Sequence, residues 1–135
     1  TGTVRTWNKK TRDFIAERLS QMGGRIGSAY GASISIEYTP GNPAVVNDEA
    51  VTRVAARAIE KTLGKEAVGT YHGTLSGEDF AEYLQYVPGV FVFTGINNPD
   101  IAAIHPQHSC LYRIDESVLA PGATIAAQWA LDMLS

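Results

Sequence analysis

The sequence predicts an α/β chain in two parts, and three observations carry that prediction. The N-terminal stretch reads strand, helix, strand. The stretch from about residue 45 onward alternates helices with apolar runs, as in a buried sheet layered with helices. Between the two, "TPGNPAVVND" (Thr39–Asp48) collects prolines and a glycine into a turn-rich break that suits a domain boundary.

In the first part, "GTVRTW" (Gly2–Trp7) reads as a short strand. "KKTRDFIAERLSQM" reads as an amphipathic helix, with Phe14, Ile15, Leu19 and Met22 on one side and charges opposite. Gly23 and Gly24 are expected to end it. "ASISIEY" alternates, with Ile34, Ile36 and Tyr38 facing one way and Ser33, Ser35 and Glu37 the other, so a half-buried strand is expected.

In the second part, Asn47 or Asp48 caps a helix whose apolar residues Val51, Val54, Ala55, Ala58, Ile59 and Leu63 recur at helical spacing. Gly64 stops it. "AVGTYH" reads as a short strand. "LSGEDFAEYLQYV" reads as a third helix, with Ser76 as N-cap and Asp79 three residues later, a variant of the capping box. "GVFVFTG" (Gly89–Gly95) is a continuous apolar run closed by glycines, the pattern of a buried strand. A last helix begins near Val118 or Pro121, with Ile125, Ala126, Trp129, Ala130 and Met133 as its apolar face.

The bulk properties narrow the function classes. The 135 residues fit one ordinary domain by length alone, with 44% apolar and 19% charged residues. No apolar run approaches a membrane span, and no basic-then-apolar leader opens the chain. A net charge of −3 argues against a nucleic-acid surface. The lone Cys110 cannot form an internal disulfide, so a reducing cytoplasm is expected. The start at Thr1, without a methionine, suggests a processed or truncated beginning.

The chemistry concentrates in "HPQHSCLYRIDE" (His105–Glu116), just beyond the end of a predicted buried strand, where α/β sheets place ligands. Cys110 as a nucleophile would need His108 as its base, but no orienting third group follows. His105 and His108 could instead ligate a metal, with Asp115 or Glu116 as further donors, or simply satisfy the loop backbone. Arg5 is either a solvated edge residue or a two-pronged clamp for a carboxylate. His72 lies in "TYHGTLSGEDF", either beside an anion site at a helix start or in an ordinary strand-to-helix loop.

The order "GTVRTW…TRDFIAERL…YGASISIEY…VND…SGEDFAEYL…VPGVFVFTG…HPQHS…YRIDESVLAPGA" resembles the C-terminal part of metal-dependent amidohydrolases of the aminoacylase and hippurate-hydrolase type. These include the plant enzymes that hydrolyse auxin–amino acid conjugates, and they are related to glutamate-releasing carboxypeptidases. The resemblance covers nearly the whole chain. It implies a two-domain metallohydrolase, with residues 1–44 as the second half of an α+β lid domain and 45–135 as the C-terminal part of the α/β catalytic domain.

The resemblance also implies site roles. "HSCLYRIDE" matches a family segment in which the first histidine binds metal, so His108 is the implied ligand. His105 becomes a neighbour that supports it. Cys110 stands where the family usually has proline, which leaves the loop less rigid. Arg5 matches an arginine that holds the substrate carboxylate. Gly77, Glu78 and Gly95 match positions beside the substrate, with Asp79 as a helix cap.

The implied cofactor is a pair of divalent ions, zinc or manganese, with cobalt or nickel as substitutes. The implied substrate is an N-acyl amino acid or small peptide, cleaved by metal-activated water, and the implied assembly is a homodimer through the lid. No nucleic-acid or membrane partner is expected. The family's other ligands and its catalytic glutamate lie far upstream and have no counterpart in these residues, so the chain alone is expected to be inactive. The alternative is a non-catalytic α/β binding or dimerisation module that retains the family fold.

Overall fold

The computed structural model describes all 135 residues. The chain divides into two compact units, one of residues 1–46 with 72–87, the other of residues 47–71 with 88–135. Four α-helices are present: α1 (Lys9–Ala29), α2 (Glu49–Leu63), α3 (Phe80–Tyr83) and α4 (Leu119–Leu134). The predicted strands do not form. The only β-type pairing is an isolated antiparallel bridge between Asn98 and Ala103.

In the first unit, α1 starts where the sequence says it should. Asn8 Oδ1 accepts from the Thr11 amide at 2.8 Å, which satisfies one of the amides that a helix start leaves open. The predicted stop at Gly23-Gly24 is wrong, because α1 runs through both glycines for 21 residues. Each interior glycine costs about 1 kcal/mol relative to alanine. What offsets the cost is packing: a Cβ on Gly23 would lie 2.7 Å from the Ile36 Cδ1, and one on Gly27 would lie 2.8 Å from the Ala32 carbonyl. The missing side chains let "ASISIEY" lie on the helix.

The helix ends at Tyr30. Gly31 adopts φ +67°, its amide reaches Ser28 O at 3.2 Å, and the Ala32 amide reaches Gly27 O at 2.8 Å. This is the Schellman closure. The apolar face also departs from expectation: Phe14 and Met22 are exposed and Gly27 is the buried residue. Ile34 and Ile36 both reach Gly23, so the alternation of that segment survives without a partner strand. Arg12 Nη1 ties the following turn down by donating to Gly41 O and Asn42 O, both at 2.9 Å.

The third helix shrinks to the single turn α3. Ser76 does not cap it, because the Ser76 hydroxyl pairs with that of Thr74 at 2.6 Å. Asp79 makes no capping bond either. Glu78 Oε1 takes the Phe80 amide instead, at 3.1 Å.

In the second unit, α2 follows the sequence closely. Asp48 Oδ1 accepts from the Val51 amide at 2.9 Å, and Val51, Ala55 and Ala58 are buried. Gly64 ends it with φ +95°. α2 packs on α4, and Lys61 Nζ donates to Asp132 Oδ1 and Oδ2 at 2.6 and 2.8 Å. The inward face of α4 therefore includes Gln128 and Asp132 beside Ile125 and Trp129, while Met133 is exposed.

"AVGTYH" and "GVFVFTG" are irregular, yet adjacent: the rings of Tyr71 and Phe93 lie 4.4 Å apart. The Asn47 side-chain amide donates to Phe91 O at 3.0 Å and accepts from Phe91 N at 2.9 Å, as a neighbouring strand would. Phe93 is 55% exposed, so the expected burial of this run is not met. A strand needs a partner backbone for its ladder, and no second strand of this chain supplies one.

Candidate functional site

The His105–Cys110 loop rises from a polar foot made by two residues. The backbone of Asn98 exchanges hydrogen bonds with Ala103, at 3.0 and 2.9 Å. Its side chain donates to Asp115 Oδ2 at 2.8 Å and accepts from the Asp100 amide at 3.0 Å. Asp115 in turn donates its amide to Ile96 O at 3.2 Å and takes the Ser117 amide on Oδ1 at 3.0 Å. Hydrogen bonds from Ser117 and then from Asn98 hold the Asp115 carboxyl below its usual value. An open groove lined by Ile101, Arg113, Ile114, Asp115, Glu116 and Ser117 lies against this foot.

Above the foot, the hydrogen bonds are short-range turns. Ser109 donates its amide to Pro106 O at 3.2 Å, and Tyr112 donates to Ser109 O at 3.0 Å. Ser109 Oγ accepts from the Leu111 amide at 3.1 Å. His108 occupies the third position of the first turn with φ +67°, and Gln107 before it has no positive φ, so the turn is type II. Histidine tolerates the left-handed region better than most residues, but the conformation still costs about 1 kcal/mol. The exposed imidazole of His108 makes no hydrogen bond within the chain. His105 is half-buried and likewise unbonded.

Cys110 is an exposed free thiol with no hydrogen bond to His108. The nucleophile–base reading therefore has no geometry behind it. The metal reading meets a different limit. Nowhere do three His, Cys, Asp or Glu side chains converge, so the chain does not form a metal centre from its own donors. Asp115, a candidate donor by sequence, has its oxygens taken by Ser117 and Asn98. Gly95 is exposed, with nothing within 4 Å of where a Cβ would stand, so no close approach demands glycine there.

A second group of predicted residues meets in the other unit. A Cβ added to Gly77 would lie 3.1 Å from Arg5 Nη1, and one added to Gly73 would lie 2.9 Å from the Trp7 ring. Arg5 and Trp7, two apart in the chain, thus both reach onto residues 73–77. The guanidinium of Arg5 is exposed and has no ion pair or hydrogen bond within the chain. The Glu78 carboxylate is occupied by the Phe80 amide. His72 is exposed, and the one-turn α3 has too few aligned peptides to offer a helix-start anion site. Asn98 is the residue that the sequence did not single out. Its partner stands far along the chain, so no local pattern marks it.

Comparison with known proteins agrees with the order of these motifs. The family model described as "Peptidase family M20/M25/M40" matches residues 6–132. A Bacillus subtilis (strain 168) protein provisionally named amidohydrolase YhaA is 32% identical over 130 residues, covering 96% of this chain and 33% of that protein. The N-acetylcysteine deacetylase of the same organism is 31% identical over 132 residues, 98% of this chain and 32% of that protein. Thermostable carboxypeptidase 2 of Saccharolobus solfataricus is 28% identical over 131 residues, 96% and 33%. The chain thus spans about a third of the length of the curated relatives it matches. No solved structure matches it.

Proposed function

Since the chain belongs to the peptidase family M20/M25/M40, we propose that it is the C-terminal third of a hydrolase that cleaves the amide bond of N-acyl amino acids or small peptides. The observation that carries this reading is the unbroken family match over residues 6–132. The names of the relatives, a deacetylase and a carboxypeptidase among them, support the same bond class. In this reading residues 1–44 belong to a lid domain and residues 45–135 to the catalytic domain. The protein works in the cytoplasm as a homodimer joined through the lid.

His108 is one donor to a divalent-metal site that residues outside this chain complete, with His105 supporting it. The ions are zinc or manganese, and when bound they supply an activated water. The unpartnered imidazole on a strained backbone suits that role, because strain of this kind collects at functional sites. Arg5 is the clamp for the substrate carboxylate, against a backbone left bare at Gly77 so that a ligand can approach. Glu78 and Gly95 lie near the substrate. Since one donor cannot assemble the site, the 135-residue chain is inactive alone.

The test compares this chain with the longer protein on an N-acyl amino acid, with manganese or zinc added. The longer protein is expected to turn over. His108→Ala should cost it at least the roughly 10–100-fold seen when a metal's supporting partner is lost. Robust turnover by the 135-residue chain alone, abolished by His108→Ala, would overturn the proposal.

A further inference from the structure

We propose that Asn98 and Asp115 form a clip that sets the position of the His105–Cys110 loop, which makes them positioning residues for His108. The inference rests on the reading of that loop as functional, and adds what holds it in place. Residues 104–114 make hydrogen bonds only among themselves. Nothing polar within the loop anchors His108 to the rest of the unit, so its orientation is inherited from the loop's two ends. Both ends pass through the same pair. The incoming end is held by the two backbone bonds between Asn98 and Ala103, at 3.0 and 2.9 Å. The outgoing end is held by the Asp115 amide on Ile96 O at 3.2 Å. The bond of 2.8 Å from Asn98 Nδ2 to Asp115 Oδ2 closes the two ends on each other.

The polarity of this bond is over-determined. Asn98 Oδ1 is committed to the Asp100 amide, which leaves Nδ2 facing Asp115. Asp115 Oδ1 is committed to the Ser117 amide, which leaves Oδ2 facing Asn98. Asn98→Asp would set two carboxylates against each other. Asp115→Asn would set a donor against a donor in either amide orientation, because one end must still accept from Ser117. The exchange Asn98→Asp with Asp115→Asn reverses donor and acceptor and keeps all three bonds: Asp at 98 accepts from the Asp100 amide and from Asn at 115, whose oxygen still accepts from Ser117. Shape is conserved in every variant, so a residue pair that matters only for packing would not distinguish the exchange from the single changes. An effect of net charge alone would move the two single variants in opposite directions, because Asn98→Asp adds a negative charge and Asp115→Asn removes one.

The experiment is amide hydrogen exchange on the 135-residue chain, read at Ala103 and Asp115, with ¹⁵N relaxation at Gln107–Cys110 and the α2 amides as control. Each single variant is expected to speed exchange at the two clip amides about ten-fold, as loss of a hydrogen bond to a charged group implies. The same variants should increase motion around His108 and leave α2 unchanged. The exchanged double variant should return the rates to within about three-fold of wild type, a difference well under that of one such bond. Unchanged exchange in the single variants, or no recovery in the double, overturns the clip. In the longer hydrolase the single variants should lower kcat with little change in KM, and the double should restore it. Because the exchange measurement does not depend on turnover, a longer protein that hydrolyses nothing would overturn the proposed function and leave the clip standing. A silent exchange result would overturn the clip and leave the function standing.

Discussion

Gly73 and Gly77 look alike in sequence, and the structure separates them. Gly73 sits at φ +77° with the Trp7 ring 2.9 Å from any added Cβ. Gly77 has no positive φ, and what its Cβ would meet, at 3.1 Å, is the far end of the flexible Arg5 side chain. Gly73→Ala should therefore destabilise the chain by about 2 kcal/mol, the left-handed penalty plus displacement of an aromatic ring. Gly77→Ala should stay within about 0.5 kcal/mol, since Arg5 can swing aside. Urea unfolding of the two variants checks this, and equal losses would refute it. The sequence showed two glycines near a substrate-side motif, but not that one serves Trp7 and the other Arg5. That pairing depends on residues distant in the chain.

At the scale of elements, α1 and α2 show what local signals can and cannot do. The Asp48 cap was legible because a cap acts within one turn. The Gly23-Gly24 stop was misread because the energy that carries α1 onward comes from Ile34 and Ile36 lying against it. The join between α2 and α4 was illegible for a similar reason: Lys61 and Asp132 stand 71 residues apart in the chain.

The α2–α4 join makes a pH prediction. Lys61, with a smaller contribution from Gln128, holds the Asp132 carboxyl below its usual value of 3.8. A carboxyl lowered in the folded state stabilises fully above the unfolded value, and loses that contribution as pH falls through the lower folded value. Wild type should therefore exceed Asp132→Asn in urea midpoint near neutral pH, and the gap should close only below about pH 4. A gap that persists unchanged in acid would refute the assignment.

At the scale of the whole chain, many large apolar side chains stay at the surface. The buried hydrophobic residues are Val51, Ala55, Ala58, Ala81 and Ala103, and no large side chain is fully buried. Phe14, Met22, Val92, Phe93, Leu131 and Leu134 remain open to solvent. Apolar surface on this scale drives association. Sedimentation of the chain at high concentration should show species heavier than 14.5 kDa, and a clean monomer would refute the expectation. No helix is long and apolar enough to cross a membrane.

The sequence by itself determined the starts of α1 and α2, the buried face of α2, and the family, because caps, helical periodicity and motif order are properties of neighbouring residues. Only the tertiary structure decided that the four predicted strands stay unpaired, that Arg5 lies over Gly77, and that Asn98 and Asp115 close the His108 loop. A strand ladder, a close approach and a loop foot each need a partner from elsewhere in the chain, and where that partner lies is settled by packing.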